Sequence, residues 1–123
     1  MLELGGDMKN YQWSINGQIW PNITPLVVKE GERIEITFKN TSMMSHPMHL
    51  HGHVFQVISI DGTPLNGAVR DTVLVLPNST LTIQFDANHP GVWPLHCHLL
   101  YHQEGGMMTL VRYENCIQPL ICK

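Results

Sequence analysis

Seven of the eight histidines in this 123-residue chain lie in two short windows. The first window covers residues 46–53, and the second covers residues 96–108, where Cys97 stands directly between two of the histidines. Imidazole rings that face a protein interior without partners leave buried polar groups unsatisfied, which costs free energy. Imidazole nitrogens and a cysteine thiolate are also good ligands for transition metals. The two windows therefore indicate a metal-binding protein rather than a chance excess of structural histidines.

The side chains around Cys97 are predicted to divide between two faces of a sheet. If residues 96–98 lie in a β-strand, successive side chains point to opposite faces. His96 and His98 then share one face, and Cys97 lies on the other. His49 and His51 are also two residues apart and can share a face. The pattern predicts that Cys97 belongs to a different metal centre from its two neighbouring histidines.

The residues available on the Cys97 side resemble the ligand set of one kind of metal site. Past Cys97 the chain offers His102 and then Met107, in a loop of the kind that wraps both onto one ion, and His46 can supply another imidazole. One thiolate, two imidazoles and a weak axial thioether form a blue-copper electron-transfer site. We therefore predict a type 1 copper site with the ligands His46, Cys97, His102 and Met107.

Two other uses of this cysteine fit the residues less well. A structural zinc site usually takes more cysteines and has no use for Met107. A cysteine protease needs a thiol and a histidine, but it leaves Met107 and the paired histidine spacing unexplained. Copper is the better prediction.

The face opposite Cys97 is predicted to be rich in imidazoles. Two His-X-His pairs on two strands form a surface suited to copper. Four imidazoles can hold one mononuclear ion, or they can form half of a larger cluster shared with another domain. The spacing leaves both possibilities open for these four residues: His49, His51, His96 and His98.

The segments that must position these residues are predicted to be β-strands throughout. Residues 34–38 alternate apolar and polar side chains, as a half-buried strand does. Asn16-Gly17, between residues 11–15 and 18–20, is a strong signal for a type I′ hairpin. With about seven or eight short strands and no helical period, the chain is predicted to be all-β, an antiparallel sandwich or barrel with Greek-key connections. We divide it into an extension (1–10), a single domain (11–113) and a tail (114–123).

Composition argues against nucleic acid and membranes as partners, and it leaves the pairing of two cysteines open. A net charge of −3 gives no basic surface for nucleic acid. No apolar run approaches the roughly 20 residues that cross a membrane, and the N-terminus lacks the features of a signal peptide. We therefore expect that a leader has been removed or that the chain was cut from a longer protein. Cys116 and Cys122 either form a disulfide, which suits an oxidising compartment, or remain two thiols.

The two motifs resemble those of a known family. The segments His-Pro-Met-His-Leu-His-Gly-His at 46–53 and His-Cys-His-Leu-Leu-Tyr-His-Gln-Glu-Gly-Gly-Met at 96–107 resemble the copper motifs of the C-terminal cupredoxin domain of multicopper oxidases. That family includes laccases and bacterial copper-resistance oxidases. The resemblance runs from about Tyr11 to Arg112. It implies a cupredoxin-like fold, copper as the cofactor and a periplasmic or secreted location.

The resemblance also implies a role for each candidate ligand. Met107 corresponds to the axial type 1 ligand, in preference to Met108, because of its spacing from His102. His49 resembles a type 2 ligand. In the family, a small reducing substrate gives electrons to type 1 copper, and they pass through the cysteine and its flanking histidines to a trinuclear centre that reduces dioxygen to water. The catalytic electron path would therefore use Cys97, His96 and His98, and the type 3 ligands would be His51, His96 and His98.

One part of the family pattern is missing from this chain. The trinuclear centre takes eight histidines, four of them from another domain with two more His-X-His motifs, and this chain has no such motifs. The resemblance therefore implies a partner cupredoxin domain or, less simply, a twofold homo-oligomer that brings two such faces together. The alternatives are a stand-alone type 1 electron-transfer protein, a copper-storage protein and, more weakly, a nitrite reductase. His53 and His89 match no ligand position, and Asp71 is a candidate for orienting a copper-site histidine.

Overall fold

Two β-sheets and a small terminal hairpin make up the fold. The computed structural model describes residues 2–7, 12–98, 106–118 and 121–122. Within these residues there is no helix long and apolar enough to cross a membrane. The strands are β1 (Leu2–Asp7), β2 (Gln12–Ile15), β3 (Leu26–Val28), β4 (Arg33–Asn40), β5 (His46–Leu50), β6 (Phe55–Ile60), β7 (Thr63–Pro64), β8 (Val69–Arg70), β9 (Thr72–Val75), β10 (Thr80–Asp86), β11 (Val92–Cys97), β12 (Met108–Tyr113), β13 (Cys116–Gln118) and β14 (Ile121–Cys122).

The sheets pack as the two layers of a β-sandwich. The larger sheet has the order β2-β1-β4-β10-β6-β7, with β8 also paired to β6, and the smaller has the order β3-β12-β11-β5-β9. Alternation along β10 buries Leu81, Ile83 and Phe85, and its antiparallel pairing with β4 places Ile83 opposite Ile36. The predicted all-β class is confirmed, and the architecture is a sandwich. The pairing is not antiparallel throughout, because β1 with β4 and β3 with β12 pair parallel.

The hairpin at Asn16-Gly17 forms as predicted, but its second arm is short. Asn16 and Gly17 both have positive φ, 54° and 73°, as a type I′ turn requires. Ile15 and Gln18 exchange both backbone hydrogen bonds. Pairing ends at Gln18, and the N–H of Trp20 donates instead to the carbonyl of Gly106 at 3.0 Å. Residues 18–20 are therefore not a strand, which corrects that part of the prediction.

Strand β1 was not predicted, since its Gly5-Gly6 pair is unfavourable in a strand. It nevertheless lies within the larger sheet, between β2 and β4, and buries Leu2 and Leu4. A Cβ on Gly6 would lie 2.1 Å from Cε3 of Trp13, so glycine leaves the space that the indole ring fills. The short pairs β6–β7, β6–β8 and β13–β14 were also missed, so the predicted number of strands was too low. The division at residues 10 and 113 stays a prediction.

The tail forms a hairpin, β13–β14. Cys116 is buried and disulfide-bonded, and its Cα partner in the hairpin register is Cys122. For Cys116, the question left open by the sequence is thus decided in favour of a disulfide. Such bonds persist mainly in oxidising compartments.

The close approach of Trp13 to Gly6 generates a stability prediction. Gly6→Ala should lower the free energy of unfolding by about 1–3 kcal/mol, because the new methyl group forces the indole to move. Gly5→Ala is the matched control, since its Cβ would meet the hydroxyl oxygens of Ser14 at 3.3 Å and Thr41 at 3.8 Å rather than an aromatic ring. We expect that change to stay within about 1 kcal/mol. Urea unfolding of the three proteins measures the difference, and equal effects at both positions would contradict the packing argument.

Candidate metal centre

The two histidine windows meet on neighbouring strands of the smaller sheet. β5 and β11 pair antiparallel, with His49 opposite His96 and Met48 opposite Cys97. On β5, His46 and Met48 are fully buried and face the core, while His49 is half-buried on the other face. The pairing therefore gathers a thiol and one imidazole on the inner face of the sheet and other imidazoles on the outer face.

On the inner face, Cys97 lies beside His46. Cys97 Sγ is 3.8 Å from His46 Nδ1, and both residues are fully buried. Metal–sulfur and metal–nitrogen bonds of about 2.3 and 2.0–2.1 Å, as at zinc sites, span about 3.8 Å when they meet at a trigonal angle. A metal ion thus fits between these two atoms without a shift of either side chain. The edge of Trp13 packs against the His46 ring, with ring centroids 5.4 Å apart.

Met107 lies next to Cys97, whereas Met108 lies on the other face. The Cys97 N–H donates to the carbonyl of Met107 at 3.1 Å, and the Met107 side chain is fully buried. Met108 pairs with His96 and lines the outer cleft. This placement favours Met107 as the thioether donor. The fourth predicted ligand, His102, lies outside the described residues.

On the outer face, four imidazoles line one open cleft of about 450 Å³, together with Pro94 and Met108. Among the rings that contact each other, the centroids are 4.5 to 6.2 Å apart. The shortest separation joins His49 to His51, and Nε2 of His51 lies 2.9 Å from Nε2 of His96. His98 is exposed. These are the four residues predicted to share a face.

Backbone carbonyls orient two of the outer imidazoles. His49 Nδ1 lies 2.9 Å from the carbonyl oxygen of Asp71, and His96 Nδ1 lies 2.9 Å from that of Cys97. A carbonyl can only accept, so each Nδ1 carries the proton and each Nε2 keeps its lone pair for a metal. Asp71 does orient a histidine, but through its main chain. Its exposed carboxylate is 3.9 Å from His49 Nδ1, too far for a hydrogen bond.

Burial and the neighbouring imidazoles favour the neutral form of His51 and His96. Burial lowers the pKa of His51, and the adjacent rings of His49, His96 and His98 lower it further. Burial also lowers the pKa of His96, although the hydrogen bond to the Cys97 carbonyl opposes this. Neutral imidazole is the form that binds metals. The lowered pKa values of His51 and His96 therefore favour metal binding by these two rings at neutral pH.

Comparison with known proteins agrees with this arrangement. The model of the multicopper oxidase family matches residues 1–115, almost the whole chain. The chain belongs to the multicopper oxidase family. Copper is accordingly the cofactor of this domain, and the inner and outer groups of donors described above both fit it.

The relatives of this multicopper oxidase domain are much longer proteins. It is 50% identical over 112 residues to multicopper oxidase MmcO of Mycobacterium tuberculosis, a match that covers 91% of this chain and 22% of the relative. Against copper resistance protein A of Pseudomonas syringae pv. tomato the identity is 41%, covering 93% of this chain and 18% of the relative. The chain thus spans about a fifth of the length of these relatives. They give no support to the alternative of a stand-alone electron-transfer protein.

Solved structures of multicopper oxidases share the fold. The blue copper oxidase from Nitrosomonas europaea superposes with a TM-score of 0.86 at 27% identity, covering 92% of this chain and 42% of the other. McoA from the hyperthermophile Aquifex aeolicus gives a TM-score of 0.79 at 32% identity, covering 91% and 28%. The cupredoxin-like fold expected from the resemblance is confirmed.

Two histidines of this multicopper oxidase domain support the outer face from behind. His53 Nδ1 donates to the carbonyl of His51 at 3.2 Å, and its Nε2 lies 2.8 Å from the hydroxyl of Tyr113. That hydroxyl also accepts the N–H of His89 at 3.0 Å, and His89 Nδ1 bonds the carbonyl of Gly52 at 2.6 Å. His53 therefore has both nitrogens engaged, which explains why it matches no ligand position. Burial lowers the pKa of His53, so the ring stays neutral.

Trp93 contacts both His89 and Gly52. Its Nε1–H donates to the carbonyl of His89 at 2.8 Å, and its ring lies against the backbone of Gly52. A Cβ on Gly52 would lie 2.5 Å from that ring, and the residue has a φ of +76°. Glycine is thus required between His51 and His53 on two grounds. Trp93 thus combines packing with one hydrogen bond.

The methionines in and just before the first window, Met43, Met44 and Met48, do not form a cluster of exposed thioethers. Met48 is fully buried in the core, Met44 is half-buried against it, and Met43 is 89% exposed. Their placement agrees with packing and loop roles.

Tyr113, which the sequence analysis missed, generates a stability prediction. Tyr113→Phe should lower the free energy of unfolding by about 1–3 kcal/mol, because the buried His53 Nε2 and the N–H of His89 lose their shared partner. Thr82→Val is the control, since it removes a half-buried hydroxyl that bonds only Thr37 Oγ1 among the contacts described. Thermal unfolding of both variants measures the difference. A Tyr113→Phe protein no less stable than the control would contradict a structural role for this hydroxyl.

Proposed function

We propose that this chain is the blue-copper domain of a multicopper oxidase. In this proposal, type 1 copper held by His46, Cys97, His102 and Met107 accepts electrons from a small reducing substrate. The electrons then reach a trinuclear centre that reduces dioxygen to water, and half of that centre's ligands lie in this chain: His49, His51, His96 and His98. The observation that carries the proposal is the placement of Cys97 beside His46 on the inner face while its sequence neighbours line the outer cleft.

The chain provides short covalent routes between the two faces. Copper bound at Cys97 supplies one-electron redox chemistry. One peptide link separates Cys97 from His96 and another separates it from His98, because these two histidines flank it in sequence. The hydrogen bond from His96 Nδ1 to the Cys97 carbonyl adds a second connection. These links make Cys97, His96 and His98 the residues proposed to carry electrons.

The inner and outer faces differ in access to solvent, as these roles require. Three of the proposed type 1 ligands are fully buried: His46, Cys97 and Met107. Burial keeps water from the Cys97 thiolate and holds the three side chains rigidly. The outer cleft is open, which leaves room for dioxygen and for imidazoles from elsewhere. One face is therefore built for electron transfer and the other for completion by a partner.

The proposed partner supplies the missing ligands of the outer cleft. The relatives are much longer than this chain, so another cupredoxin domain is the simplest source of four more imidazoles. A twofold homo-oligomer is the second candidate, because it brings two identical faces together. The disulfide at Cys116 supports a periplasmic or secreted location.

The type 1 assignment can be tested by colour. Copper added to the chain should give the intense visible absorption of a copper–thiolate bond, and Cys97→Ser should abolish it because serine cannot form that bond. Met43→Leu is the control, since this thioether is 89% exposed and is not among the proposed ligands. Visible and electron paramagnetic resonance spectra provide the measurement. A Cys97→Ser protein that stays blue would refute the assignment.

The incomplete outer site generates a prediction about activity. A pure monomer of this chain should bind blue copper yet oxidise phenols slowly, since four imidazoles complete only half of the oxygen-reducing centre. In an assembly that is active, His49→Gln should abolish oxygen consumption and leave the blue absorption. Thr82→Val, which removes a half-buried hydroxyl on β10 of the larger sheet, should do neither. Copper content and oxygen uptake are the measurements, and rapid oxygen uptake by a monomer would show that no partner is needed.

A further inference from the structure

A buried chain of polar groups lies directly behind the proposed type 1 pocket. It runs from Asn40 at the end of β4 through Ser42 to His46, and these residues are 1%, 5% and 0% exposed. Ser42 Oγ lies 2.6 Å from Nε2 of His46, on the ring edge away from Cys97. The direction of each hydrogen bond between these three side chains can be deduced from the groups around it.

The side-chain amide of Asn40 has only one possible orientation. Its Nδ2 lies 2.8 Å from the carbonyl oxygen of Met44 and 3.1 Å from that of Val75. Both carbonyls are acceptors only, so the amide nitrogen must face them. Its oxygen accepts the backbone N–H of Ser42 at 3.0 Å, which agrees with the same orientation. Asn40 therefore presents a fixed acceptor to Ser42.

The atoms around the Ser42 hydroxyl then restrict where its proton can lie. It lies 2.7 Å from Asn40 Oδ1 and 3.1 Å from the carbonyl oxygen of Met44, and neither atom can donate. Two oxygens this close repel each other unless a proton lies between them, so the single proton of Ser42 goes to one of these two acceptors and not to His46. Toward His46 it can only accept.

The tautomer of His46 follows from this. Its Nε2 must carry the proton that Ser42 Oγ accepts, so its Nδ1 keeps the lone pair. That lone pair faces Cys97 Sγ at 3.8 Å, across the space where a metal fits. Two main-chain carbonyls thus determine, through Asn40 and Ser42, which nitrogen of His46 is available.

We propose that Ser42, oriented by Asn40, is a positioning residue that fixes the metal-binding tautomer of His46 and tunes the copper it binds. The proposal rests on the type 1 assignment of His46 above. A partner that accepts the distal N–H makes an imidazole a better donor. Because Cu(II) is more electron-poor than Cu(I), this should stabilise the oxidised ion more and hold the reduction potential down.

The tautomer itself can be measured without metal. Long-range ¹H–¹⁵N correlation spectra of the metal-free wild-type chain distinguish protonated from unprotonated ring nitrogens, and loss of one signal set in His46→Gln assigns the ring. We expect His46 to carry its proton on Nε2. A proton on Nδ1, or rapid exchange between the two tautomers, would overturn the proposal whatever the copper data show.

Substitutions at Ser42 test the tuning of copper. Ser42→Ala should weaken copper binding about 10–100-fold, the usual effect of losing such a partner. It should also shift the visible spectrum and raise the reduction potential, while Ser42→Thr, which keeps the hydroxyl, should retain most of the wild-type properties. Ser79→Ala is the matched control, because Ser79 is another buried serine whose hydroxyl donates to a carbonyl, that of Leu76. It should leave all three properties unchanged.

The outcomes separate this proposal from the type 1 assignment. If Cys97→Ser abolishes the blue absorption but folded Ser42→Ala keeps wild-type affinity, spectrum and potential, the assignment stands and the role of Ser42 is refuted. If Cys97→Ser remains blue, the assignment itself fails. A Ser42→Ala protein with the same losses as Ser79→Ala would show a general packing effect, which also refutes the proposal.

Discussion

The register between β5 and β11 is the constraint on which both metal faces depend. His96 lies opposite His49 and Cys97 opposite Met48, so one face of the pair collects imidazoles and the other collects the thiol. A slip of one residue would move every side chain of β11 to the wrong face. The inner face prevents such a slip, because Leu95 and Cys97 are fully buried there together with Met48 and Leu50.

Main-chain carbonyls orient imidazoles on both faces by the same principle. On the outer face, the carbonyls of Asp71 and Cys97 hold Nδ1 of two histidines, and Nε2 remains for metal. On the inner face, the two ring nitrogens exchange roles. Nε2 of His46 is hydrogen-bonded to Ser42, and Nδ1 faces Cys97. The carbonyls of Cys97 and Val75 belong to β11 and β9, and that of Asp71, directly before β9, accepts the N–H of Leu50. Backbone that is already held by the sheet therefore helps to determine which nitrogen each ring presents.

The sequence was sufficient for features that depend on local periodicity and insufficient for those that depend on distant contacts. Period-two alternation around Cys97 predicted the two faces, and Asn16-Gly17 predicted its turn. Tyr113 could not be predicted as a partner of His53, since 60 residues separate them and a tyrosine at a strand end has many uses. Strand β1 was missed because the space that Gly6 leaves is defined only by the Trp13 ring.

The difference in burial between the faces explains why an incomplete centre need not disturb the fold. The inner residues pack within the core, so their geometry is fixed by the same contacts that stabilise the sandwich. The outer rings lie over a sheet whose other face is packed, and the hydrogen bonds of His53 and His89 hold the His51–Gly52 turn from behind. Under the proposed function, half of a metal centre is thus arranged in advance by one domain. The proposed partner would then only bring its own imidazoles to a surface that is already oriented.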